Sequence, residues 1–166
     1  MGKEKLIMRN FSSVRKIIVC LIIVLIVLTL YFIWNNSLMT KEESTESSES
    51  VSNVIQTVVD TVFGEDVVYV ENGVVRKFAH ATEFAALGLE FCVLLIAIKQ
   101  ESYKRYLQIL PIGLFVAAVD ECLQFVSLRG PAIIDVLIDC CGFSVMTAVF
   151  IAIYAIRIKI KSKKQV

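Results

Sequence analysis

Hydrophobic residues gather along the chain in four long runs: Ile17 to Trp34, Phe78 to Ile98, Tyr106 to Val126, and Ala132 to Ile156. Each is close to the roughly 20 residues that a helix rising about 1.5 Å per residue needs to cross a hydrocarbon core about 30 Å thick. The pattern predicts an all-α integral membrane protein with four transmembrane helices. Between the first and second runs, residues 35–75 form a long connection of two parts. KEESTESSES (41–50) is acidic, serine-rich and nearly free of apolar groups, which predicts disorder. Val51, Val54, Ile55, Val58, Val59, Val62 and Phe63 then fall on one face of a helix over 51–63, with Ser50 placed to cap it and Gly64 to end it. Its other face carries Ser52, Asn53, Gln56, Thr57 and Asp60, and no basic residue. Such a helix either rests on the membrane surface or the spans, or acts as a lid tethered by the acidic stretch.

Composition agrees with lipid as the solvent: 57% of the 166 residues are hydrophobic, against roughly 45–50% in soluble domains. The net charge of +1 conceals a segregation by sign. Lys and Arg crowd the N-terminus (Lys3, Lys5, Arg9, Arg15, Lys16), the 99–105 connection (Lys99, Lys104, Arg105) and the tail (Arg157, Lys159, Lys161, Lys163, Lys164). The positive-inside rule makes these three segments cytoplasmic and turns the other two loops outward. The tail therefore reads as a topology determinant, and no nucleic-acid partner is expected. The expected division is a cytoplasmic N-terminus over 1–16, an anchor over 17–34, an extracytoplasmic loop over 35–75, a three-helix core over 76–157 and a basic tail over 158–166. The first run is longer than the ~7–15-residue core of a secretory signal and lacks a small-x-small cleavage pattern, so it is expected to stay as an anchor. The five cysteines, Cys20, Cys92, Cys122, Cys140 and Cys141, all fall within spans without metal-finger spacing, and read as small buried hydrophobes.

Charged groups are costly in lipid, about 2.5–3.5 kcal/mol each at a span centre, so their recurrence here is informative. The second span brings Lys77, His80 and Glu83 at steps of three, just after Arg76. Asp120, Glu121 and Gln124 follow in the third, Arg129 in the next turn, and Asp135 and Asp139 one turn apart in the fourth. Counted from the outer ends of the spans, all lie within roughly the first 15 Å, so they can share one layer. The first span has nothing ionisable and is expected to be a peripheral anchor, leaving the other three to enclose the site. Acids outnumber cations in the layer, so some carboxyls stay protonated, His80 is charged, or a cation is bound. A metal is not expected, because the acids and His80 lack a regular ligand spacing, and no cofactor is implied. Glu90, one heptad deeper than Glu83, is either hydrogen-bonded between helices or a deep extension of the polar cavity.

The segments RKFAHATEFAALG (76–88), DECLQ (120–124), Arg129 and DVLIDCCG (135–142) together resemble the VanZ-like family of bacterial membrane proteins. The likeness covers three of the four spans, and the matching positions include Leu87, Gly88 and Gly142 beside the polar residues named above. Phe84, Leu123, Ser127-Leu128 and Ile134 depart from the family pattern, in each case removing a feature usual there but leaving the acidic core of the layer. The resemblance implies residence in the bacterial plasma membrane and an association with lowered susceptibility to the glycopeptide teicoplanin, which acts on cell-wall precursors at the outer face.

Three functions fit these residues. One is an outer-leaflet pocket that binds or modulates a membrane lipid or a lipid-linked cell-wall intermediate through Arg76, Lys77, His80, Glu83, Asp120, Glu121, Gln124, Arg129, Asp135 and Asp139. Another is an intramembrane enzyme using His80, Glu83, Asp120 or Glu121 as general acid or base, though no nucleophile stands out at Ser127 or Ser144. The third is a structural polar network in a protein that works through a partner. A transporter is disfavoured, since four spans without an inverted repeat give little machinery for alternating access. Sidedness is open to direct measurement: an alkaline phosphatase reporter inserted at residue 45 should be active and a fluorescent fusion after residue 166 should glow. The opposite pattern would turn the layer to the cytoplasm.

Overall fold

The computed structural model describes residues 2–64, 69–128 and 132–163, the side chains of 2–12 and 63 excepted. Its elements are α1 (Gly2–Leu38), α2 (Lys41–Phe63), α3 (Asn72–Ala97), α4 (Tyr103–Gln108), α5 (Leu110–Val126) and α6 (Ile133–Lys163). Four stretches are long and apolar enough to cross a membrane: Ser13–Leu38, Asn72–Ala97, Tyr103–Val126 and Ile133–Lys163. They coincide with the four hydrophobic runs. The third is broken at Ile109 between α4 and α5, because Pro111 has no N–H to donate and its ring crowds the carbonyl one turn back.

Chain direction can be followed from contacts. Asn36 meets Glu83 and Thr29 meets Glu90, so each step of seven down α1 is matched by seven up α3, and the two helices are antiparallel. The α4–α5 span runs against α6, with Ala132 at Glu121, Phe143 against Gly113, and the Tyr106 ring 6.4 Å from Phe150 and 6.0 Å from Tyr154. Phe84, Leu87, Cys92, Val116, Ala117 and Phe143 form the core between α3, α5 and α6. On α1 the buried Ile26, Ile33 and Ser37 recur at helical spacing and face that core, whereas Leu21, Val24, Leu28 and Tyr31 are exposed. That outer face is what a lipid-facing helix needs.

The helix expected over 51–63 is present but begins ten residues earlier, and the predicted disorder of 41–50 is overturned. Thr40, not Ser50, is the cap: its hydroxyl accepts from the Glu43 amide while the Glu43 carboxylate accepts from the Thr40 amide at 2.9 Å. Glu42 and Glu43 sit in the first turn, where carboxylates oppose the helix dipole favourably. Nor is the polar side of the helix wholly solvated. Ser44 and Ser52 are buried, Ser52 donating to the Val70 carbonyl, and Gln56 accepts from the Val70 amide at 2.8 Å. The polar face of α2 thus packs inward, while Val54, Val58 and Val62 are each more than half exposed. Gly64 ends the helix as expected, at φ 97°, with its amide donating to the Asp60 carbonyl.

Hydrogen bonds from the Thr40 backbone, then from its hydroxyl, hold the Glu43 carboxyl below its ordinary value of 4.5. A depressed carboxyl stabilises the fold above its unfolded pKa and loses that contribution as the pH falls through the folded value. Amide protection at the start of α2 should therefore be constant above pH 4.5 and decline below it. In Thr40→Ala, hydrogen exchange measured by mass spectrometry should show low protection on both sides of that pH.

Candidate functional site

The site is built on the closest approach in the bundle, between α3 and α6. A Cβ on Gly142 would collide with the Ala81 carbonyl oxygen, and one on Gly88 would lie 2.8 Å from the Phe143 carbonyl oxygen. These glycines let two backbones touch, as small residues do where lipid-buried helices pack. Phe143 fills the space beside the contact, its ring occupying the volume that a Gly113 side chain would need. The contact fixes the chemistry nearby. His80 precedes Ala81 on α3, and Asp139 lies just under one turn before Gly142 on α6, so both are drawn to the same height.

There they meet Asp120 of α5. One ligand-type atom from each of His80, Asp120 and Asp139 lies within 4.8 Å of the others. Asp120 is 0% exposed and has a partner on each oxygen: the Ser37 hydroxyl donates to one and the Gln124 amide to the other, at 2.9 Å. Asp139 is 1% exposed, and neither of its oxygens has a hydrogen-bond partner among the described residues. His80 Nδ1 stands 4.0 Å from Glu83 Oε2, and Asn36 donates to the other Glu83 oxygen at 3.2 Å.

The remaining predicted residues divide by role. Glu121 accepts from the Ala132 amide at 2.8 Å and so fastens the start of α6 to α5. Asp135 occupies the first turn of α6, where the dipole favours an acid. Arg76 is half-buried and lines a groove with His80 and Glu83, but Lys77 is exposed and absent from that groove. Its expected place on the same stripe is not what the helix presents: Arg76, four residues before His80, takes it. Arg129 lies outside the described residues. Glu90 accepts from the Thr29 hydroxyl at 2.7 Å, the inter-helix hydrogen bond that was one of its two readings.

Another expectation is overturned at α1. It is no peripheral anchor, because Thr29, Asn36 and Ser37 each donate to a carboxylate of the core, and the Ser127 hydroxyl lies 3.0 Å from the Ser37 carbonyl. Sequence reasoning weighed only ionisable groups in that span. A signal was available: Thr29 and Asn36 are one heptad apart, as are Glu83 and Glu90 opposite them.

The groove itself lies between α1, α2 and α3, with a cavity of about 370 Å³. Ser44, Ser47 and Ser48 of α2 face Arg76, His80 and Glu83 across it, and Phe32, Met39, Val51 and Val75 supply apolar walls.

Four membrane-length helices holding a buried layer of carboxylates and one histidine define a multi-pass helical membrane protein with a polar core. A VanZ/LLP1 family model matches residues 17–155, reaching into all four spans, and the chain belongs to that family. No curated protein and no solved structure matches it.

The close approach predicts which glycines matter. Gly142→Ala should lower the unfolding midpoint in detergent, by about 1–3 kcal/mol for an overpacked contact, despite alanine's better helix propensity. Gly73→Ala, whose new Cβ would meet only Glu71 Oε1 at 3.6 Å, should leave the midpoint unchanged or raise it through that propensity. Equal behaviour of the two would separate the helix contact from the fold's stability.

Proposed function

We propose that this VanZ/LLP1 membrane protein binds, and thereby modulates, an anionic cell-envelope lipid or lipid-linked glycan at the outer leaflet. The observation that carries the reading is the groove, which sets Phe32, Met39, Val51 and Val75 beside Arg76, His80 and Glu83. An amphiphile has the matching chemistry. Its phosphate suits the Arg76 guanidinium, its sugar hydroxyls or amines suit Glu83, and its first methylenes suit the apolar wall. Arg76 takes the phosphate role that the sequence had shared with Lys77. The serine face of α2 closes one side, supporting the lid reading of that helix, and its exposed valine stripe suits contact with lipid. Lowered susceptibility to a glycopeptide such as teicoplanin would follow if the bound lipid were a cell-wall precursor.

Acid-base catalysis on a lipid-linked substrate is the second reading, favoured by the convergence of His80, Asp120 and Asp139. Against it, the Ser127 hydroxyl is engaged by backbone carbonyls at 3.0 Å, and Ser144 lines a different, mostly apolar cleft with Leu137 and Phe143.

Native mass spectrometry of the purified chain, offered a polyprenyl phosphate, phosphatidylglycerol or phosphatidylcholine, tests both. The two anionic lipids should be retained over phosphatidylcholine, and Arg76→Ala should reduce their retention by about tenfold or more, the effect of losing one charge-assisted hydrogen bond. Indifferent retention of all three lipids by the parent protein would refute the binding reading. Conversion of an added lipid, abolished by His80→Ala, would replace it with the catalytic one.

A further inference from the structure

Asp139 is the group that the bundle's own hydrogen bonds leave out. Three of its neighbours in the layer are engaged, Asp120 by Ser37 and Gln124, Glu121 by the Ala132 amide and Glu83 by Asn36, while Asp135, which also has an oxygen without a partner among the described residues, is only partly buried. Asp139 is as deeply buried as Asp120, yet neither carboxylate oxygen has a partner among the described residues. An unsatisfied buried carboxyl costs several kilocalories per mole unless something is bound to it. What it faces is a second carboxylate and an imidazole, from two other helices, with one donor atom of each within 4.8 Å. These are metal-ligand groups. No described Lys or Arg pairs with Asp120 or Asp139; the ion pairs among described residues are His80 with Glu83 and Arg157 with Glu101.

We propose that His80, Asp120 and Asp139 bind a first-row divalent cation of the manganese or zinc type. One imidazole with two carboxylates is too nitrogen-rich and too small a set for calcium, which takes six to eight oxygens, and suits manganese or zinc better than magnesium. Ligands about 2.1 Å from a tetrahedral ion stand about 3.4 Å from one another, so binding asks atoms that now lie within 4.8 Å of each other to draw together, the widest pair by up to about 1.4 Å. Ser37 and Gln124 already orient Asp120, the service that outer hydrogen bonds perform at metal sites. The ion neutralises the two buried charges, and three protein ligands leave coordination positions free. His80 also lines the lipid groove, so the ion stands beside it. Sequence spacing hid the site, because its ligands come one each from three helices. The inference rests on the layer's geometry and goes beyond the lipid reading.

The full chain, purified in detergent and stripped with EDTA, would be titrated with Mn²⁺ followed by electron paramagnetic resonance, and with Zn²⁺ followed by calorimetry. We expect saturable binding of one ion per chain to one or both metals, weakened roughly tenfold or more in Asp139→Asn and in His80→Ala. Thermal unfolding adds a readout of opposite sign. In the parent protein metal should raise the Tm; in Asp139→Asn the metal-free Tm should exceed the parent's and added metal should not move it. No saturable binding of either metal by the folded parent protein overturns the proposal, as does binding by Asp139→Asn and His80→Ala as tight as the parent's. Lipid retention measured with and without EDTA keeps the two readings apart. Retained lipid without metal binding defeats the ion and spares the groove, whereas metal binding without lipid retention does the reverse.

Discussion

Backbone contact between α3 and α6 is the constraint on which the rest of the structure depends. Lipid tails give apolar side chains no reason to prefer one another, so helices in a membrane are held by dispersion at close range and by polar groups that lipid cannot satisfy. Gly88 and Gly142 supply the first, by admitting the Phe143 and Ala81 backbones to contact. The second is drawn in by it: once Gly142 is seated at Ala81, the neighbouring His80 and Asp139 have nowhere to go but toward Asp120. Any residue larger than glycine at these points would widen the seam and move His80 and Asp139 apart. The same contact thus decides both stability and chemistry.

The polar layer contains two populations, and separating them weighs the functional readings. Asp120, Glu121 and Glu90 accept hydrogen bonds that tie α5 to α1, α6 to α5 and α1 to α3. For those acids a structural role is sufficient, with each bond contributing about 0.6 kcal/mol on average in a membrane. Asp139 and the open side of Glu83 make no such ties among the described residues. A network serving packing alone would not bury a carboxyl with both oxygens unused, because that arrangement costs more than it returns. The structural reading explains part of the layer and leaves a remainder, and the remainder lies at the groove and beside it.

Much of this was legible in the sequence. The four spans follow from hydrophobic length alone, and the common depth of His80, Asp120 and Asp139 follows from their distance to the span ends. The role of α1 was not legible by counting charges, since its hydroxyl and amide groups carry none; only the matching heptads of Thr29, Asn36, Glu83 and Glu90 carried the information. The start of α2 was missed for a related reason. Composition scores a serine as solvated, but Ser44 and Ser52 are buried against the bundle, and a capping box at Thr40 outweighs the low helix propensity of the run that follows. Lys77 misled because a step of three and a step of four both suggest one stripe, and packing chose Arg76.

The inverted amphipathicity of α2 links the membrane to the site. A soluble protein would turn Val54, Val58 and Val62 inward and its serines to water; here Ser44, Ser47 and Ser48 line the groove while Val54, Val58 and Val62 are exposed. That orientation is favourable only where lipid, not water, meets the valines, because leaving three such side chains in water forfeits about 25 cal/mol for every Å² of apolar surface. Lipid against these valines would help hold α2 beside Arg76, His80 and Glu83. On the proposed lipid reading, a ligand entering from the bilayer would reach the groove past the apolar walls of α1 and α3 and would need no aqueous opening through α2. An aqueous ligand would have to displace α2 and lift its valines out of lipid. The arrangement of this one helix favours an amphiphile over a soluble metabolite on energetic grounds that are independent of the groove's shape.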